Sequence, residues 1–158
     1  MKEIPLTRGK VALIDDEDFE SVSRFKWHVT HGYARTVVHL GMVNGKRIQA
    51  YMYLHILILR PPKGMEVDHR YHDTLDCRRV NMRVCTRSQN QQNKVKYKGS
   101  SKYKGVYWHT ARDSWQTQIK HNGRTTYLGR FSDEADAAHV YDTKAREYFG
   151  EFAYLNFP

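Results

Sequence analysis

The sequence predicts an α+β fold. A β-rich N-terminal half leads into a strand-loop-strand-helix segment, and a small three-stranded antiparallel sheet packed on one helix closes the chain. Three observations carry this prediction. Short runs of period-two alternation recur, two of them around Asn-Gly pairs (Asn44-Gly45 and Asn122-Gly123) whose tolerance of positive φ suits a type I′ hairpin turn. Apolar spacing of three and four residues, at Ala138, Tyr141, Ala145 and Tyr148, marks one long helix near the end. The 158 residues are 40% hydrophobic and 27% charged, the composition of a folded chain.

Taken in order, residues 4–14 read as β structure with a turn at Gly9-Lys10. Asp15 to Asp18 form an acidic run before Phe19, Val22, Phe25 and Trp27; four acids at a helix start complement the positive end of its dipole, so a short capped helix is expected. Residues 29–40 and 42–52 read as a hairpin around Asn44-Gly45, completing a small sheet scaffold. The apolar run 51–59 contains His55 and is too short to assign by periodicity; Pro61-Pro62-Lys63-Gly64 ends it.

Next come a short strand ending in Asp68-His69, a polar loop over 70–80, a second strand over 81–86, and a polar helix opened by the capping-box pattern Thr86-Arg87-Ser88-Gln89 and carrying Asn90 and Asn93. Residues 94–102 alternate Lys with Gly and Ser and read as an extended basic linker, with a domain boundary near 97. Strands follow over 103–109, 114–121 and 124–130. In the middle strand Trp115, Thr117 and Ile119 share a packing face, while Gln116, Gln118 and Lys120 share the opposite one. Ser132 reads as the N-cap of the long helix and Gly150 as its end.

The 26 Lys and Arg against 17 Asp and Glu give a net charge of +9, which points to a polyanionic partner. The excess is local. Residues 94–130 hold nine basic side chains and one acidic, whereas residues 131–158 hold two basic and six acidic. An acidic helix face cannot grip phosphate, so the basic strands are the better candidate for that surface.

Two cysteines, Cys77 and Cys85, supply neither a disulfide framework nor a complete tetrahedral zinc site, and a reducing compartment fits them. Cys77 reads as a loop thiol and Cys85 as a packed strand residue. The longest apolar run falls well short of the roughly 18 residues of a membrane helix, and the N-terminus has no apolar signal core. The expected location is the cytoplasm, in association with nucleoid DNA.

Several residues of the middle segment together resemble a known family. His55-Ile-Leu-Ile58, Val67-Asp-His69, Leu75-Asp76, Arg78-Arg79, Asn81-Met-Arg83, Thr86 and Gln89-Asn90, with Asn81 and Asn90 standing 12 and 21 residues beyond His69, resemble the HNH nucleases, in the subgroup of phage and intron-encoded homing endonucleases. The likeness covers about residues 50–93 and implies a ββα-metal motif. It assigns His69 as the base that activates water, Asn81 as the residue that pins the loop, and Asp68 and Asn90 as metal ligands.

The chemistry is coherent with that assignment. Carboxylate and amide oxygens are hard donors suited to Mg²⁺ or Mn²⁺, and a two-ligand site leaves room for phosphate and water. An imidazole near pKa 6.5 can accept a proton at neutral pH. Arg78 and Arg83 read as phosphate contacts, His55 as a positioning or phosphate-contacting group, and His72 as a surface residue. Tyr71-His72-Asp73 replaces the family's usual Asn-Gly-Asn, and Cys77 stands where an Asn is common.

The last third resembles the Apetala-two/ethylene-response-factor DNA-binding domain through Tyr103-Lys-Gly-Val106, Trp115, Tyr127-Leu-Gly-Arg-Phe131, Ala137-Ala138, Tyr141-Asp142 and Leu155-Asn-Phe-Pro158. The resemblance implies a sheet laid in the major groove, with DNA contacts at Lys104, Tyr107, His109, Gln118, Lys120, Thr125 and Tyr127. The plant factors carry Arg at several of these positions and this chain carries it at none, so their GC-rich target does not transfer.

The resulting expectation is a metal-dependent endonuclease on double-stranded DNA. Its domains are residues 1–93 and 103–158, and the chain is a monomer or a weak dimer. The alternative is a non-catalytic DNA-binding regulator that uses the same fold as a scaffold.

Overall fold

A computed structural model describes residues 1–95 and 98–158, and shows a mixed α+β chain in two compact units, Met1–Arg87 and Ser88–Pro158. The division lies several residues before the linker expected at 94–102. The reason is local hydrogen bonding within the second unit: Tyr154 N donates to the Gln92 carbonyl (3.3 Å), and Lys104 Nζ donates to the carbonyls of Gln92 and Lys94. Lys96 and Tyr97 of the expected linker lie outside the described residues.

In the first unit β1 (Lys2–Pro5) and β2 (Val11–Ile14) pair antiparallel across a tight turn in which Arg8 and Gly9 take positive φ. β2 also binds the long loop of the middle segment: Leu13 N donates to the Leu75 carbonyl and Cys77 N to the Leu13 carbonyl. The short helix α1 (Phe19–Ser23) presents Val22 to the core, and Trp27 Nε1 donates to the Val22 carbonyl at 2.9 Å.

β3 (His28–Thr30), β4 (Tyr33–Val43) and β5 (Lys46–Tyr53) form an antiparallel sheet in that order. The sequence reading merges β3 with β4. Their turn is His31-Gly32, with φ of 48° and 85°, and a His at a positive-φ position carries no common hairpin signature. Asn44 and Gly45, at 49° and 71°, make the expected turn between β4 and β5.

The apolar run becomes helix α2 (Leu54–Leu59), which buries Leu54, His55 and Ile58 and stops at left-handed Arg60, ahead of Pro61-Pro62. β6 (Glu66–His69) and β7 (Met82–Cys85) pair antiparallel with Asp68 directly opposite Arg83. Ile4, Ala12, Ile14, Val22, Trp27, Leu54, Ile58, Cys77 and Met82 belong to one core cluster, which fixes α2 and the loop against the N-terminal strands. Cys77, expected as a loop thiol, is thus fully buried. Helix α3 (Arg87–Gln92) follows.

In the second unit β8 (Val106–His109), β9 (Ser114–His121) and β10 (Arg124–Phe131) form an antiparallel sheet with β9 central. Helix α4 (Glu134–Phe149) covers one face and buries Ala137, Ala138, Tyr141, Ala145 and Phe149. Its N-cap is Asp133, not the expected Ser132: the carboxylate accepts from Ala135 N at 2.7 Å and Asp136 N at 3.0 Å. Gly105, at φ +80°, lets β8 approach the Tyr141 ring so closely that any Cβ there would collide with it.

Buried Asp142 accepts from Asn156 N and Nδ2 and from Phe157 N, while the Asn156 side chain bonds both backbone groups of Lys104. One carboxylate on α4 therefore ties the C-terminal tail to the start of the sheet. Among the described residues no helix is long and apolar enough to cross a membrane.

Candidate active site and nucleic-acid face

Within the first unit, β6 ends on Asp68 and His69, each 5% exposed. The antiparallel register sets Arg83 across from Asp68, and the guanidinium donates to Asp68 Oδ2 through Nε at 2.8 Å and Nη2 at 2.6 Å, with both side chains buried. Arg83 is thereby removed from the expected phosphate contacts, since a buried guanidinium bound to a carboxylate presents no open fork to DNA. A positive group stands against the expected ligand carboxylate.

His69 belongs to an aromatic cluster built by three further elements. Its ring centroid lies 5.2 Å from that of His55 on α2, edge to face, and 6.0 Å from that of Tyr33 at the start of β4. Tyr53, at the end of β5, stacks on His55 at 5.5 Å. Burial, and then the neighbouring His69, pushes the His55 pKa down to about 4, and its Nδ1 is buried with no hydrogen-bond partner among the described residues. Burial lowers the His69 pKa too, although Asp68, Asp73 and Asp76 pull the other way. Both rings are neutral at pH 7, the form in which imidazole accepts a proton.

Asn81, 1% exposed, organises the loop between the strands. Its Nδ2 donates to the carbonyls of Asp73 (3.0 Å) and Asp76 (2.8 Å), and its Oδ1 accepts from Tyr71 N (3.0 Å). All three functions of the amide face the loop backbone. Asp76 in turn accepts from Arg78 Nε at 2.8 Å and Nη2 at 2.6 Å, which lowers its pKa and engages the Arg78 fork, leaving the side chain about one-third exposed. His72 is exposed, as its sequence context suggests.

Asn90 lies on α3 in the second unit. Among the described residues no three His, Cys, Asp or Glu side chains stand together as a metal cage. Asp68 offers carboxylate oxygens and Asn90 an amide oxygen, each a hard donor of the kind that suits an ion such as Mg²⁺.

In the second unit the sheet face opposite α4 carries most of the expected DNA-contacting residues. Tyr127 pairs with Gln118 and Thr125 with Lys120 across β10 and β9, and all four are exposed. Arg130, opposite Gln116 after a bulge at Leu128, extends that exposed row and went unassigned in the sequence reading, because the bulge shifts the alternation by one residue.

Three expected residues depart from a reading role. Gln116 is buried and accepts from Tyr107 Oη at 3.1 Å, so Tyr107 is partly committed to it. Lys104 is largely enclosed; its ammonium bonds two backbone carbonyls, and burial lowers its pKa to about 8. It therefore braces the start of the unit. His109 is half-buried, with Nδ1 lacking a partner among the described residues. A cavity of 890 Å³ in this unit is lined by Gln91, Lys98, Tyr107, Gln118, Lys120 and Thr125 among others, so the exposed row borders a concave, basic surface.

Two parts of the chain are similar to different known proteins. Residues 60–92, from the end of α2 through α3, match the HNH endonuclease family model. The chain is 29% identical over 151 residues to a protein of Acanthamoeba polyphaga mimivirus described as an uncharacterized HNH endonuclease, covering 94% of this chain and 76% of the relative. Two AP2-like ethylene-responsive transcription factors of Arabidopsis thaliana are 33% and 37% identical over 64 and 65 residues; each match covers 40% of this chain but only 20% and 18% of the plant proteins.

Proposed function

We propose that the protein is a metal-dependent, homing-type endonuclease that hydrolyses phosphodiester bonds of double-stranded DNA and is directed to its substrate by the C-terminal sheet. The observation that carries this reading is the Asp68-His69 pair at the end of β6, inside the segment that matches the HNH family, with Asn81 fixing the adjoining loop through three hydrogen bonds.

His69 accepts a proton from water as the water oxygen attacks phosphorus, and the P–O3′ bond breaks with the proton for the leaving oxygen supplied by solvent. Asp68 and Asn90 are the candidate oxygen donors for Mg²⁺ or Mn²⁺; when bound, such an ion stabilises the charge that develops on the phosphate and the leaving oxygen. Tyr33 and His55 hold the His69 ring, and Asn81 holds the loop that follows it. In the second unit Gln118, Lys120, Thr125, Tyr127 and Arg130 supply the DNA-facing row, with the amide and the two hydroxyl side chains suited to base edges and the two cations to phosphate.

The test is cleavage of supercoiled plasmid by purified protein with Mg²⁺ or Mn²⁺. Wild type yields nicked or linear product, and His69→Ala lowers the rate by about 10²-fold or more, the usual scale of a general base, with duplex binding within twofold of wild type. Equal cleavage by the two proteins overturns the assignment of His69.

A further inference from the structure

Residues 21–65 contain seven Lys and Arg and no acidic residue. Within this stretch the outer parts of β4 and β5 leave the core and run as a free two-stranded ribbon: every residue from His39 to Gln49 is exposed. Leu40, Met42 and Val43 are 57–65% exposed and Ile48 is 40% exposed, an unusual concentration of exposed apolar side chains for a two-stranded ribbon. Two-stranded ribbons gain little stability on their own, so an exposed apolar one is retained for contact with something else.

The register defines what its faces offer. Met42 pairs with Arg47, His39 with Gln49, Val37 with Tyr51 and Arg35 with Tyr53, and these residues lie on one face of the ribbon. Arg35 stands 4.1 Å over the Tyr51 ring, and Tyr51 is 60% exposed. At its inner end this face reaches Tyr53, which stacks on His55, the ring beside His69. A row of cationic, amide, imidazole and aromatic groups thus runs from the candidate base to the ribbon tip. Lys46 adds a further charge at the tip, opposite Val43.

We propose that this ribbon is a second DNA-binding element, which lies in a groove of the duplex and carries the DNA toward His69. The occupant is double-stranded DNA because the charge is uniformly positive and because a two-stranded ribbon fits a major groove of about 12 Å. Lys46 and Arg47 pair with phosphates, while Met42, Gln49 and Tyr51 face the groove. The five residues from His39 to Val43 span about 16 Å, or about five base pairs of duplex. The inference rests on the reading that the substrate is DNA, but not on cleavage.

The experiment measures binding of the full chain to a fluorescent duplex in EDTA across 50 to 200 mM salt, with hydroxyl-radical footprinting. Lys46→Ala with Arg47→Ala lowers the log-log salt slope by about two, weakens binding at least fivefold, and shortens the footprint by about half a helical turn. Both positions are exposed, so circular dichroism and the melting temperature stay as in wild type. Met42→Ser, on the groove-facing side, weakens binding while leaving the salt slope unchanged.

Unchanged affinity, slope and footprint in the charge variant overturn the proposal. So does unchanged DNA binding accompanied by loss of a dimer in sedimentation, which makes the ribbon a contact between copies. A wild type that shows the ribbon footprint yet cuts no DNA refutes the nuclease reading and leaves the ribbon standing; a wild type that cuts DNA without the footprint does the reverse.

Discussion

Asp68 and Arg83 face each other across β6 and β7 as a buried ion pair, with Arg83 Nη2 2.6 Å from Asp68 Oδ2. The expected metal ligand is therefore not a bare carboxylate waiting for an ion; it is already neutralised from within the fold. A buried carboxylate without a cation costs several kcal/mol, so the guanidinium stabilises the pair of strands in the absence of metal. Any ion that binds Asp68 competes with, or is positioned beside, this arginine.

Arg83→Met removes the cation and leaves the carboxylate buried, at an expected cost of about 3–5 kcal/mol in denaturant unfolding. The paired replacement Asp68→Asn with Arg83→Met recovers most of that loss, because no uncompensated charge remains. Addition of Mn²⁺ raises the melting temperature of Arg83→Met more than that of wild type. An equal rise in both proteins argues against Asp68 as a ligand.

The His55 pKa of about 4 against an unperturbed value near 6.5 makes stability depend on pH. The folded state binds the proton less tightly than the unfolded chain. The contribution is therefore complete above about pH 6.5 and lost as pH falls toward 4, by up to about 3 kcal/mol. His55→Phe removes this dependence and flattens the unfolding free energy between pH 7 and 4. Parallel curves for the variant and wild type refute the assignment to His55.

Gly105→Ala combines a positive φ with a methyl group driven into the Tyr141 ring. The expected loss is at least about 2 kcal/mol, measured by thermal or chemical unfolding. A control at Gly123, whose surroundings are open, carries only the backbone cost.

Lys104 and Lys120 are alike as expected DNA contacts and differ in the structure, the first largely enclosed and the second exposed. Lys120→Ala, on the exposed row, lowers DNA affinity and the salt slope by about one with little effect on stability. Lys104→Ala releases two backbone carbonyls and lowers the melting temperature of the chain, with a smaller change in salt slope. Titration of both variants against a duplex, beside their melting curves, separates the two roles.

Burial pushes the Cys77 thiol up to about 12, and neither cysteine forms a disulfide. Cys77 is modified by iodoacetamide only at the rate of unfolding. Rapid labelling of Cys77 in the native protein contradicts its place in the core.

What was legible in the sequence was local. The Asn44-Gly45 and Asn122-Gly123 turns, the spacing of apolar residues on α4 and the alternation along β9 are set by backbone preference and by period. Each survives in the structure. What was not legible depends on partners distant in the chain. Gln116 belongs to a polar row by alternation, yet a hydroxyl from the neighbouring strand draws it under cover. Arg83 looks like any basic residue near a phosphate site until the register places Asp68 opposite. The bulge at Leu128 moves Arg130 into the exposed row, and its mark in the sequence is Gly129, an isolated glycine within the strand that takes φ +143°. In the middle segment the order strand, loop, strand, helix was readable. The threefold use of the Asn81 amide was not, because its acceptors are carbonyls of a loop whose path no periodicity describes.

The two Asn-Gly turns also set how this protein ages. Asn followed by Gly is a favoured site of spontaneous succinimide formation, since the small glycine leaves its backbone nitrogen open to the asparagine side chain. Both pairs are exposed, one at the tip of the β4-β5 ribbon and one at the tip of the C-terminal sheet. Hydrolysis of the succinimide replaces a neutral amide by a carboxylate, and in the isoaspartyl product it lengthens the backbone by one carbon. Each event therefore places a negative charge at the end of a surface that otherwise attracts polyanions. On the proposed DNA-binding reading, old molecules lose grip on nucleic acid from the fingertips inward, while the buried Asn81, followed by Met82, keeps its amide.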